Sequence, residues 1–91
     1  MNVLKKLYKD STRELNRKHV DAVCASAYII AKEAASQAKT AAEYRLPDDV
    51  PRGAWTGITN RMQIEHEMVA RIIADEDNFY IATMYMSGWA N

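Results

Sequence analysis

Residues 20–44 read VDAVCASAYIIAKEAASQAKTAAEY. Nine of these 25 positions are alanine and none is Gly or Pro; alanine is the best helix former because it loses no side-chain entropy in a helix interior. The stretch therefore predicts one long helix from Val20 to Tyr44. Its apolar positions fall on two adjacent seams stepping by three and four, Val20, Val23, Ala27, Ile30, Ala34, Ala41 and Tyr44 on one and Cys24, Tyr28, Ala31, Ala35, Ala38 and Ala42 on the other. A face so rich in alanine lets a partner helix come close while burying little area per residue.

Beyond this stretch, residues 46–57 collect both prolines and two of the three glycines, and Pro47 disfavours helical geometry at Leu46. The long helix is expected to stop there. Ile58, Met62, Val69, Ile72 and Ile73 then recur at helical spacing, which predicts a second long helix from Gly57 to Asp75 laid antiparallel along the alanine face of the first. Asp75-Glu76-Asp77-Asn78 reads as its end and as acidic caps for a short helix from Phe79 to Ser87, closed by Gly88. The aromatic and β-branched residues of 79–86 also suit a strand. With no second strand visible for it to pair with, the helix is the reading.

Toward the N-terminus, Leu4, Leu7, Tyr8 and Leu15 share one side of a helix while Lys5, Lys9, Arg13 and Arg17 repeat every fourth residue on another. Ser11 with Glu14 has the form of a capping box, so a new helix is expected near Thr12; one helix from Val3 to Arg45 is the alternative. The expected fold is thus all-α: an antiparallel hairpin of two long helices, with a basic N-terminal helix or helical extension and a short C-terminal helix, forming a single domain over residues 1–91.

A chain of 91 residues hides only about 60–65% of the surface its unfolded form exposes. Self-association is a common remedy at this size, and a homo-oligomer is expected, with Cys24, Tyr28, Ala31 and Ala35 as its interface. Twelve basic side chains balance twelve acidic ones, but they are not evenly spread. Residues 1–18 hold six basic and two acidic side chains, a net +4, leaving six against ten, a net −4, for residues 19–91. One cysteine cannot form an internal disulfide, which points to a reducing compartment and a cytoplasmic location. The longest uncharged apolar run, Ala22 to Ala31, is about half of what spans a bilayer, so membrane insertion is not expected.

Ile64-Glu65-His66-Glu67 is the cluster closest to chemistry, yet adjacent helical residues diverge by about 100°, so Glu65, His66 and Glu67 do not converge on one atom. His66-Glu67 begins like a zinc-protease motif, but position 70 is alanine and the second histidine is missing. His19 and Cys24 are five apart and form no dependable base–nucleophile pair. No enzyme, cofactor or metal is expected.

Binding residues are easier to nominate. Arg52 and Trp55 share a Gly-containing loop and belong to the types that dominate binding hot spots; Trp55 as a staple ahead of Ile58 is the alternative. Tyr85 and Trp89 exceed what a short helix needs for one buried face. With Arg61 they complete a set for a protein partner or, alternatively, for a small anionic ligand or nucleotide held by guanidinium and aromatic groups. The basic face of Lys5, Lys9, Arg13 and Arg17 could also contact nucleic-acid phosphates, although a neutral total charge argues against that. The leading expectation is a small non-catalytic interaction protein, an inhibitor, adaptor or assembly factor of the kind common among phage and mobile-element accessory proteins.

Overall fold

The computed structural model describes residues 2–90 and shows an α+β domain of two helices on one face of a three-stranded antiparallel sheet. Helix α1 spans Val3–Ser36, strand β1 Ala41–Arg45, a 3₁₀ turn Arg52–Ala54, helix α2 Trp55–His66, strand β2 Val69–Ala74 and strand β3 Ala82–Ser87. The sheet order is β1-β3-β2. An all-α hairpin is therefore not what forms, and each departure has a local cause.

Helix α1 is continuous from an N-cap at Asn2, whose side chain accepts from the Lys5 backbone N–H at 3.2 Å. The Ser11–Glu14 box is not used; instead Glu14 pairs with Arg17 at 3.2 Å within the running helix, and no break separates an N-terminal helix from the rest. The helix does not reach Tyr44. Ala38 adopts a left-handed conformation, φ 61°, its N–H donates to the carbonyl of Ala35 and that of Lys39 to Ala34, the paired bonds of a Schellman motif. The reversal frees Ala41–Arg45 to run as β1, where Ala42 and Tyr44 turn toward the helices and Ala41, Glu43 and Arg45 toward solvent. Alanine's helical preference is overridden here by pairing with β3.

The second helix is likewise shorter than its apolar spacing suggested. Ile58 and Met62 are buried on α2, but Glu67, at φ 52°, caps the helix in the left-handed region. Val69, Ile72 and Ile73 belong to β2, whose burial alternates with period two around Ala70. Residues 75–81 are a hairpin turn: the carboxylate of Asp75 accepts from the Asp77 N–H at 2.8 Å and the side-chain carbonyl of Asn78 from the Tyr80 N–H at 3.0 Å. Those acidic residues cap no helix. The segment expected as a C-terminal helix is β3, which finds partners on both sides, Glu43↔Tyr85 toward β1 and Arg71↔Tyr85 toward β2.

The core lies between the helices and the inward face of the sheet. Val20, Val23, Cys24, Ala27 and Ala31 of α1 and Ile58 and Met62 of α2 meet Ala70, Ala82, Met84 and Met86 from the strands. Small alanines on α1 thus face bulky methionines. The helices approach closely at Gly57, where an added Cβ would lie 3.0 Å from Val20 Cγ2.

Candidate interaction surfaces

Helix α1 is the longest element, about 51 Å at 1.5 Å per residue, against a longest molecular dimension of 54 Å. Its core contacts begin only at Val20; nearer the N-terminus Thr12, Asn16 and His19 are half-buried and every other residue from 3 to 18 is exposed. The first turns therefore project from the body. At about 100° per residue, Lys5, Lys9, Arg13 and Arg17 continue the line of Val20, Cys24, Ala27 and Ala31, so basic side chains replace apolar ones where no sheet lies beneath. Leu4, Tyr8 and Leu15 lie on the opposite side, 76%, 73% and 54% exposed, with Leu7 beside them. The same line continues through Ala22 to Ile29, which is 63% exposed. Exposed apolar side chains thus recur along the outside of α1, with Ser11 and Lys18 between them, facing away from the domain that its other face holds together.

The side chains nominated for ligand binding are brought to four separate places. Arg52 lies over the Trp55 ring, 5.1 Å from its centroid, and both line a cavity of about 530 Å³ with Pro47, Pro51, Phe79 and Tyr80. The Trp55 indole N–H is buried and finds no hydrogen-bond acceptor among the described residues, so packing and the guanidinium hold this ring. Arg61 is spent between the helices, bonded to Asp21 of α1 and 3.8 Å from Glu65; the Asp21 hydrogen bond raises its pKa further and keeps it charged. Tyr85 stands on the outer sheet face between Glu43 and Arg71. Trp89 is half-buried and donates its indole N–H to the Lys39 carbonyl at 2.8 Å, tying the chain end to the turn after α1. These five groups line no common pocket.

The residues nominated for an oligomer interface divide in a similar way. Cys24 and Ala31 are in the chain's own core, whereas Tyr28 and Ala35 are exposed. The Cys24 thiol donates to the Ile58 carbonyl at 3.6 Å, and burial pushes its pKa up. Tyr28 stacks on His66, with ring centroids 4.1 Å apart and planes 15° from parallel, in a shallow cavity of about 410 Å³ that Trp89 also lines. Among the described residues no three His, Cys, Asp or Glu side chains are grouped to hold a metal ion, and no helix is long and apolar enough to cross a membrane.

Sequence reasoning identified the two sides of the N-terminal helix but assigned its apolar side no role. The signal was present: Leu4, Leu7, Tyr8 and Leu15 have no alanine seam to pack on once the helix is known to be continuous. No family model, no curated protein and no solved structure matches this chain.

Proposed function

We propose that this protein is a non-catalytic interaction protein that docks on a protein partner through the projecting N-terminal half of α1. The observation that carries this reading is the uncovered apolar side of Leu4, Leu7, Tyr8 and Leu15 on a helix whose apolar inner face, from Val20 onward, is already packed in the core. Large apolar side chains left this exposed and gathered on one side of a helix support an interaction surface. An amphipathic helix lays such a ridge into an apolar groove, read as anchors at i, i+3, i+4 and beyond. The lysines and arginines on the other side of the arm favour a partner that is acidic overall, the more so because Lys5 and Lys6 sit in the first turn, where the helix dipole is unfavourable to cations. A bound carboxylate-rich partner relieves that repulsion.

A nucleic acid would engage Lys5, Lys9, Arg13 and Arg17 and leave the ridge in water, so it accounts for half of what the helix presents. A small anionic ligand finds no pocket at which Arg52, Arg61, Tyr85 and Trp89 converge. The test is site-specific photo-crosslinking from position 7 in the native host. A single protein adduct of defined mass, lost in the Leu4→Glu/Leu15→Glu variant while the far-UV spectrum is unchanged, is the expected result. Adducts only to nucleic acid or lipid, or a protein adduct indifferent to those changes, would overturn the reading.

A further inference from the structure

Both outer strands of the sheet have a free edge, and the two edges differ in chemistry. The Leu46 N–H donates to the Ala82 carbonyl at 2.9 Å and the Asp75 N–H to the Ile81 carbonyl at 2.8 Å. Hydrogen-bonded and non-bonded positions alternate along an antiparallel pair. Hence Ala42 and Tyr44 bond inward to β3, and the N–H and C=O groups of Ala41, Glu43 and Arg45 point outward from β1, with no partner among the described residues. On β2 the outward groups belong to Ala70, Ile72 and Ala74 by the same count.

We propose that β1 pairs antiparallel with β1 of a second copy, joining two sheets into one of six strands about a two-fold axis. The argument is charge complementarity in a single register. An added strand can bond only to the outward groups, so residues 41, 43 and 45 must face residues of the same set. Setting Glu43 opposite Glu43, or Arg45 opposite Arg45, puts like charges face to face, which destabilises a strand pair. Sliding one step further, to Glu43 opposite Ala41, leaves Arg45 facing Lys39. Setting Glu43 opposite the second copy's Arg45 forms two opposite-charge pairs at once, because the two-fold axis repeats the contact. Tyr44 then meets its own equivalent on the inner face. Such a self-complementary patch is what a two-fold dimer requires.

The edge is also accessible. A cavity of about 460 Å³ runs between it and the end of α1, lined by Ala34, Ala42 and Ile30, the last 38% exposed. The present partner of Arg45, Asp48 at 3.8 Å, is an exposed pair and is worth little. The β2 edge offers no equivalent: its outward-bonding positions carry no charge, and its solvent-facing Arg71 has only the uncharged Val69 and Ile73 beside it along the strand.

This dimer is independent of the arm of α1 and is separable from it. Sedimentation equilibrium of the full chain should give twice the 10.3 kDa monomer mass at high concentration. Glu43→Arg and Arg45→Glu should each weaken association about tenfold or more, each placing two like-charge pairs in the interface. The Glu43→Arg/Arg45→Glu double variant should restore it. Glu43→Pro removes an outward N–H without touching the bonds to β3 and should give a folded monomer. A monomer at every concentration up to about 1 mM overturns the proposal. So does a dimer that ignores all of these changes, and so does one that dissociates only on Leu4→Glu/Leu15→Glu, which would place the contact on the α1 ridge.

Discussion

Ala38 and Glu67 hold φ values of 61° and 52°, a region that costs a residue with a Cβ about 1 kcal/mol and glycine almost nothing. Both helix stops depend on them. Ala38→Gly should therefore raise stability by about 0.5 kcal/mol, net of the extra freedom glycine gains in the unfolded chain, as read from the urea midpoint, and Glu67→Gly should act in the same direction. Gly88 is the reverse case. Its φ is 103° and an added Cβ would lie 3.2 Å from the Val69 backbone nitrogen, so Gly88→Ala should cost about 1–2 kcal/mol or more by the same measurement. These positions also explain why the sequence predicts longer helices than form. A helix end is visible in sequence when glycine supplies the left-handed residue; here alanine and glutamate do so, and neither announces it. Cys24 gives a pH-dependent prediction. Burial holds its thiol neutral and its pKa above the unfolded value, so its contribution is complete at neutral pH and is lost as pH rises past the ordinary thiol range toward the folded value. Denaturation curves should show this alkaline loss reduced in Cys24→Ala, and thiol labelling at neutral pH should require unfolding.

At the scale of the element, α1 is one helix with two occupations. From Val20 to Ala34 it is held by the core, and before Thr12 it has little but its own hydrogen bonds, which in isolation are marginal for so short a stretch. Removing residues 1–10 should leave stability within about 0.5 kcal/mol. Ser11 then becomes the N-cap and Glu14 the N3 residue, so the capping box that the full-length helix leaves idle takes over. Thermal melting of the truncated chain checks this, and a large loss would mean that the arm packs on the body. The strands were hidden for a related reason. Ala41 and Ala42 have no strand propensity of their own, so β3, whose own sequence suits a strand, lacked a visible partner. Val69, Ile72 and Ile73 fit a helical step from Ile58, but in the strand only Ile72 joins Ala70 on the inner face while Val69 and Ile73 point to solvent, so the apolar pattern carries no strand alternation to read. Of the candidate surfaces, the basic and apolar sides of α1 and the Arg52–Trp55 pair were legible in local sequence. The β1 edge was not, because an edge exists only once three separated segments have met.

For the molecule as a whole, a compact chain of this length has a radius of gyration of about 12 Å, and this one has 14.9 Å. The excess is the projecting arm, so small-angle scattering of the Glu43→Pro monomer should show the radius falling toward the compact value when residues 1–10 are removed. The remaining body is only one helical layer on one sheet, and its outer sheet face, with Glu43, Tyr85 and Arg71 in a row, is open to water. Stability must therefore come from a single apolar layer. Ile58 sits at its centre with no exposed surface, among the core methionines. Ile58→Ala removes packed methyl groups and leaves a cavity that flexible methionines can fill only in part, at a cost of about 2–4 kcal/mol. That is a large share of the roughly 5–15 kcal/mol a domain usually has. Tyr85→Ala, on the water-facing side of the same sheet, should change stability far less, by about 1 kcal/mol at most through its cross-strand neighbours. Urea midpoints of the two variants measured side by side test which face of the sheet holds the fold, and equal losses would mean that the outer face is covered in solution.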